Sequence, residues 1–419
     1  MIPLSILRDD PGKIQKGLEA KGVSIDINTL VTLDEEHRAA ITKLDSLRAE
    51  KNKVSEKIAE LKRNSENADS DIKAMQSLGG QIDSLEASAQ DLKQSLTDQL
   101  FGLPNVPHDS VPSGKDAAEN KIIREWGEKP DERKTYLTHL ELGKNLNILD
   151  MERGSKISGS GFPLYVNHGA RLERALINFM LDHHEGFTEI FPPFLTQSSS
   201  PTTCGQLPKF SDDMYSTEDG NLWLIPTAEV PLTNIHQDEI LDEDSLPIYY
   251  KAYSACFRRE AGSYGKETRG LLRVHQFNKV ELVKFVTPES SYDELESLTL
   301  QAESVLQALG IHYRIVELCS GDLSFAAAKC YDIEIWAPGE NRWLEVSSCS
   351  NFESFQARRG NIRYRRTSDK KVDFVHTLNG SGLATPRLMV ALLETFHTED
   401  GTVEIPDALQ DYMGKEVIE

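Results

Sequence analysis

Cysteine is scarce in this chain of 419 residues: Cys204, Cys256, Cys319, Cys330 and Cys349 are an odd number and include no CxxC pair. A disulfide framework is therefore excluded, and buried thiols in a reducing compartment are expected. Adjacent His183 and His184 diverge in direction on a helix and have no Cys or His at ligand spacing, so no structural zinc is assigned. No run of about 18 apolar residues exists, which leaves no candidate membrane span. The first residues, Met1 to Asp10, lack the apolar core of a signal peptide, and a cytoplasmic location is expected. Positive charge is in deficit, with 46 Lys and Arg against 67 Asp and Glu and a formal charge of −21. That balance excludes a sequence-blind DNA protein, and any RNA contact must use local basic patches. A GxGxxG phosphate loop is also missing, which argues against a Rossmann sheet.

What is present is a hydrophobic content of 39%, enough for a packed interior, in a chain longer than one core supports. At least two units are expected. Near the amino terminus, Ala40, Leu44, Leu47, Val54, Ile58 and Leu61 step by three and four, with Lys51 interrupting the seam. After the polar break Asn64–Ser70, a second seam runs through Met75, Leu78, Ile82, Leu85, Ala89, Leu92 and Leu96, with Gly79-Gly80 as a weak point. Two heptad seams joined by a short turn predict an antiparallel helical hairpin, each helix on the order of 45 Å long. Such hairpins serve dimerisation or packing more often than RNA binding. The first helix nevertheless concentrates cations, among them Lys43, Arg48, Lys51, Lys53 and Lys57, suited to an RNA backbone. A proline-dense segment, Gly102 to Pro112, then marks a boundary.

The most informative stretch runs from Phe257 to Glu281. It opens Phe257-Arg258-Arg259-Glu260, passes through the polar loop Ala261–Gly270, and returns through Arg273, Phe277 and Glu281. If the strand continues through them, Arg258 and Glu260 share a face, and Phe277 and Glu281 share a face of the returning strand. An arginine fork donates paired hydrogen bonds to phosphate, and a phenylalanine ring offers a stacking plane for a base.

This arrangement resembles motif 2 of the class II aminoacyl-tRNA synthetases. Upstream, Gly186-Phe187-Thr188-Glu189-Ile190-Phe191-Pro192-Pro193-Phe194-Leu195 looks like motif 1; downstream, Leu378-Asn379-Gly380-Ser381-Gly382-Leu383-Ala384-Thr385-Pro386-Arg387 looks like motif 3. Four further segments are similar to seryl-tRNA synthetases: Thr227-Ala228-Glu229, Gly205–Phe210, Glu345–Phe352 and Phe355–Arg359. The resemblance implies an α+β fold, in which an antiparallel two-helix coiled coil precedes a catalytic domain with a mainly antiparallel sheet flanked by helices. Expected boundaries are a tRNA-binding domain over 1–103, a linker over 104–117 and a catalytic domain over 118–419.

The implied activity is ATP-dependent formation of seryl-adenylate and transfer of serine to the 3′ end of tRNA(Ser), with tRNA(Sec) as a second candidate. Motif 1 implies a homodimer. By the resemblance, Arg258 holds the α-phosphate and Arg387 the γ-phosphate, Phe277 stacks on adenine, and Glu260 accepts from its amino group. Glu345 and Ser348, with Val346 and Ser347 between them, complete the ATP site and hold Mg²⁺ through hard oxygens. Arg259 stands where bacterial relatives usually carry serine; it belongs to the ATP set although alternation turns it away. Thr227, Ala228, Glu229, Glu281 and Ser381 form the serine set, and Lys43, Arg48, Lys51, Lys53 and Lys57 the tRNA set. Two other readings are a ligase that loads an amino acid on a carrier protein and a non-catalytic RNA-binding paralogue. The basic arm argues against the first, and the retention of Arg258, Glu260, Glu345 and Arg387 against the second.

Overall fold

The computed structural model describes residues 1–131, 133–261 and 269–419. Most of the expected polar loop, Gly262 to Thr268, lies outside the described residues. The chain divides into two compact units, one of Ile2–Glu19 and Val23–Pro104, the other of Met1, Ala20–Gly22 and Asn105–Glu419.

In the first unit, helix α1 (Ile27–Arg63) and helix α2 (Asp69–Phe101) pack along the two predicted seams. Ala40, Leu44 and Ile58 are buried against Leu78, Ile82, Ala89 and Leu96. The cross-helix ion pairs Arg48–Glu86 and Lys57–Asp71, 2.7 and 2.8 Å, run in opposite sequence directions, as an antiparallel pair requires. Lys51 is half-buried at the seam, its aliphatic stem suited to apolar neighbours. Gly79 and Gly80 do not interrupt α2. Each costs a helix about 1 kcal/mol relative to alanine, and burial of Leu78 and Ile82 on either side outweighs that. Asp26 caps α1 through the Asn28 amide. About two turns further on, buried Asp34 accepts both arms of the Arg8 guanidinium, at 2.8 and 2.7 Å, and a bond from Arg38 at 2.8 Å.

The second unit is built on one eight-stranded sheet. Its strands are β1 (Lys121–Trp126), β2 (Thr188–Glu189), β3 (Ile248–Phe257), β4 (Gln276–Val286), β5 (Tyr313–Glu317), β6 (Lys329–Ala337), β7 (Arg342–Asn351) and β8 (His376–Ala384). Spatial order is β1-β5-β6-β7-β8-β4-β3-β2, and every pair is antiparallel except β2 with β3. Helices α3 (His139–Asn145), α4 (Asn167–His183), α5 (Ser291–Leu309) and α6 (Thr385–Phe396) flank it.

The alternation of β4 divides the interior. Val280, Leu282 and Val286 enter the large core that α5 closes with Leu295, Leu298 and Ala302. On the other face, Val283 and Phe285 pack with Ala228, Leu232 and Tyr364. Toward its amino end that second face carries Phe277, Lys279 and Glu281 instead, and there the packing opens into a cavity.

Candidate active site

The cavity has a volume of about 640 Å³ and lies over the central strands β4, β8 and β7. At one end, Ser381 of β8 stands opposite Glu281 of β4 in the ladder. The Thr227 hydroxyl donates to the Glu281 carboxylate at 2.8 Å, and Lys279 donates to Thr227 Oγ1 at 2.8 Å while pairing with Glu281. Glu229 begins a short helix, Glu229–Thr233, and its carboxylate accepts from Gln356 Nε2 at 2.6 Å. Gln356 is fixed in turn by the Thr377 hydroxyl at 2.8 Å. Burial first, and the Glu281 charge second, push the Glu229 carboxyl up to about 7. This end offers carboxylates and hydroxyls to a small cationic, hydroxylated ligand.

The other end is cationic. Arg258, Arg273 and Arg387 all line it, and the Arg258 guanidinium carbon sits 5.1 Å from the Phe277 ring centroid. Arg387, at the start of α6, donates to the backbone carbonyls of Leu272 at 3.1 Å and Glu345 at 2.7 Å. Burial holds its guanidinium below the ordinary arginine range; Glu345 opposes that shift, while Arg273 and Arg258 add to it. Two of the three guanidiniums already face carboxylates, Arg273 pairing with Glu260 and Arg387 lying 3.8 Å from Glu345, and a phosphate between them would add charge-assisted hydrogen bonds.

Two β-bulges decide which side chains reach the cavity. In β7 the register slips between Glu345 and Ser347, so Val346 is the extra residue. Strict alternation would put Glu345 on the face of Ser347 and opposite Ser348; the bulge brings Glu345 and Ser348 together. Ser347 points its hydroxyl at the Ser381 carbonyl, 2.7 Å away. In β8 the slip falls between Ser381 and Leu383. The extra residue, Gly382, has its carbonyl 3.0 Å from His184 Nε2, and a Cβ there would meet that nitrogen at 2.4 Å. His184 is thus a buried structural link, its other nitrogen 3.2 Å from Gln301 Nε2, and burial lowers it to about 4.

Most predicted residues meet at this cavity: Thr227, Glu229, Glu281 and Ser381 at one end, and Arg258, Glu260, Phe277, Glu345, Val346, Ser347, Ser348 and Arg387 along the rest. Ala228 does not line it, being fully buried in the apolar cluster with Val283 and Phe285. Nor does Arg259, whose guanidinium lies 5.9 Å from the Tyr215 ring. The expected strand through Arg258 and Glu260 is corrected: β3 stops at Phe257, and Glu260 has φ of 52°. Glu260 reaches the cavity through that left-handed turn and is held there by Arg273. Of the arm cations, Arg48 and Lys57 bridge to α2, Lys51 is half-buried, and Lys43 and Lys53 are exposed. Cys349 is a core residue whose thiol burial pushes up to about 12. Cys204 is buried beneath the Glu229 backbone, its sulfur 3.9 Å from that carbonyl.

Sequence reasoning passed over Lys279, Gln356 and Asn379. The signal for Lys279 was present, since period two through Phe277 and Glu281 includes it. Asn379 shares the face of Ser381 by the same rule.

The family model of the seryl-tRNA synthetase N-terminal domain matches residues 1–107, and that of the tRNA synthetase class II core domain (G, H, P, S and T) matches residues 210–396. A serine–tRNA ligase of Thermodesulfovibrio yellowstonii is 52% identical over 423 residues, covering 100% of both chains. The crystal structure of seryl-tRNA synthetase from Pyrococcus horikoshii complexed with ATP superposes with a TM-score of 0.93 at 37% identity, covering 100% of this chain and 99% of that one. The cytoplasmic serine–tRNA ligase of Naegleria fowleri, in complex with AMP, gives 0.89 at 27% identity with the same coverage. With both halves matched and full-length relatives above half identity, the chain belongs to the seryl-tRNA synthetase family.

Proposed function

We propose that the cavity activates serine with ATP and that the product, seryl-adenylate, is passed to tRNA(Ser). The observation that carries this is the polarity of one continuous cavity, cationic beside an aromatic ring at one end and lined by carboxylates and hydroxyls at the other. A serine carboxylate oxygen attacks the α-phosphorus, an acyl–phosphate bond forms, and pyrophosphate leaves with the electron pair. Arg258 receives the α-phosphate, where charge builds in the transition state, and Arg387 the γ-phosphate. Phe277 supplies the stacking plane for adenine, and Glu260 accepts from its amino group. At the serine end, Glu229 and Glu281 receive the ammonium, and Thr227 and Ser381 the hydroxyl. Hydrogen bonding to the hydroxyl rejects alanine by ~10⁴-fold, because buried polar groups would go unpaired. No side chain acts as a nucleophile; positioning and charge compensation do the work.

Glu345 and Ser348 present hard oxygen donors on one face, with half-buried Asp332 opposite Ser348 on the neighbouring strand, a set that fits Mg²⁺. When bound, the ion neutralises phosphate charge. Asp332 is held protonated more than usual by burial first and by the Glu345 charge second, a tension that a cation relieves.

The arm residues Lys43, Lys53, Arg48, Lys51 and Lys57 form the proposed tRNA surface, in a domain of residues 1–103 joined by 104–117 to the catalytic domain. A homodimer is proposed through the motif 1 segment, where Phe191 is 80% exposed beside Pro192 and Pro193. The proposed location is the cytoplasm; among the described residues no helix is long and apolar enough to cross a membrane. Serine-dependent exchange of pyrophosphate into ATP, followed by serine charging of tRNA(Ser) and tRNA(Sec) transcripts, tests the reading. Absence of exchange with purified protein would refute it.

A further inference from the structure

The proposed reaction leaves one buried polar cluster unused. His139 at the start of α3, Glu340 in the turn between β6 and β7, and Glu394 near the end of α6 bring a ring nitrogen and carboxylate oxygens within 4.8 Å of one another. None of the three side chains is more than 1% exposed. A metal does not fit the hydrogen bonds. Glu394 accepts from the His139 amide at 2.9 Å, from the Gly339 amide at 2.9 Å and from the Glu340 amide at 3.1 Å, and lies 3.1 Å from His139 Nδ1. On the far side of the ring, the Leu271 amide donates to Nε2 at 3.2 Å. Nε2 is therefore the acceptor and Nδ1 carries the proton. A metal on Nδ1 needs the opposite tautomer, which would set Nε2–H against the Leu271 N–H.

The cluster ties together three segments that serve the cationic end of the cavity. Glu394 shares α6 with Arg387. Glu340 pairs with Arg269 at 2.8 Å, and the chain from Arg269 leads through Gly270 and Leu271 to Leu272, whose carbonyl receives Arg387. Gly270 has φ of 61°, and a Cβ there would meet His139 Nε2 at 2.1 Å, so the ring occupies the space a side chain would need. We propose that His139 is a positioning residue for adenylate formation: oriented by Glu394, it anchors the Arg269–Arg273 limb so that Arg273 and Arg387 stand where the triphosphate is held. This rests on reading the cavity as an ATP–serine site.

The test uses the full chain with His139→Phe, which keeps a ring but loses both nitrogens, and His139→Gln, whose amide oxygen reaches the Nε2 position. For His139→Phe, kcat/KM for ATP in serine-dependent pyrophosphate exchange falls by on the order of 10- to 100-fold, since small misplacement of charged groups is costly. Serine affinity measured by calorimetry without ATP stays within about twofold, because Thr227, Glu281 and Ser381 do not touch the cluster, and His139→Gln recovers most of the loss. Arg269→Gln, at a half-exposed position, lowers ATP kcat/KM several-fold and decides the matter where His139→Phe does not fold. Unchanged ATP kinetics, serine affinity falling in step with them, or a glutamine variant no better than phenylalanine overturns the proposal. A wild-type protein without exchange activity refutes the cavity reading instead.

Discussion

Replacing Glu229 by glutamine should make the protein more stable and less active, with a pH dependence that identifies the cause. Its carboxyl moves from 4.5 to about 7 in the fold, with burial as the largest cause and the Glu281 charge next. Because the folded value lies above the unfolded one, the folded state holds a proton that the unfolded state has lost between those pH values. Stability therefore falls as pH rises through that window, and the full penalty is present above about 7. A shift of that size corresponds to about 3 kcal/mol. Glutamine resembles the protonated acid at every pH and keeps a carbonyl oxygen for the Gln356 amide. The variant should match wild type near pH 4.5 and exceed it by up to about 3 kcal/mol at pH 8. Denaturant unfolding followed by tryptophan emission is the assay, since Trp126, Trp223, Trp336 and Trp343 all lie in the unit that holds Glu229.

The same residue links proton release to substrate. An ammonium beside Glu229 favours the carboxylate, so at pH 6 serine binding should expel close to one proton, seen as a buffer-dependent heat in calorimetry. Serine affinity should weaken about tenfold for each pH unit below 7, and the glutamine variant should lose both effects along with on the order of 100-fold in affinity. A stability difference that is flat with pH, or a variant less stable than wild type at pH 8, would refute the reasoning.

Arg258→Lys keeps the charge but not the planar fork, so pyrophosphate exchange should drop by roughly 100-fold in kcat while serine binding without ATP is unchanged. Arg48→Ala and Lys57→Ala break exposed cross-helix pairs and should each cost the arm under about 1 kcal/mol. Their larger effect should be a raised KM for tRNA with a shallower salt dependence, while exchange without tRNA is untouched. Asp34→Asn should lower the melting temperature of the arm by circular dichroism. The Arg8 hydrogen bonds hold Asp34 below the ordinary carboxylate range, so its contribution is present at neutral pH and lost as pH falls below about 4.

The helical hairpin was legible because its signal is periodic and local: seam residues buried in the structure are those spaced by three and four. The odd face of β4 was legible for the same reason, from Phe277 through Glu281. What failed were extrapolations of a period past its end. Alternation carried through Arg258 and Glu260 assumes a strand that stops at Phe257, and Glu260 instead enters through a left-handed turn. Ala228 took a place in the serine set from its neighbours, yet between Thr227 and Glu229 it faces the apolar cluster. Gln356 lay in a segment marked only by resemblance and nothing local gave it a role, because its partner Glu229 is 127 residues away and only the folded chain brings them together.

The two bulges carry the deeper lesson about how this sheet separates its chemistries. Adjacent strands β7 and β8 each insert one residue, Val346 and Gly382, close to where the Thr227–Glu281 end of the cavity gives way to the arginine-lined end. Without the first, Glu345 would face away from Ser348 and the paired oxygen donors would be split between the sheet's two sides. Without the second, Leu383 would follow Asn379 and Ser381 onto the cavity face; with it, Leu383 enters the core and Ala384 lines the cavity. The chain then turns directly into α6 with Arg387 at its first turn. Regular alternation thus suits the Thr227–Glu281 end, where Lys279 and Glu281 on one strand meet Asn379 and Ser381 on the next. The arginine-lined end needs a change of face, and a single extra residue in each strand supplies it.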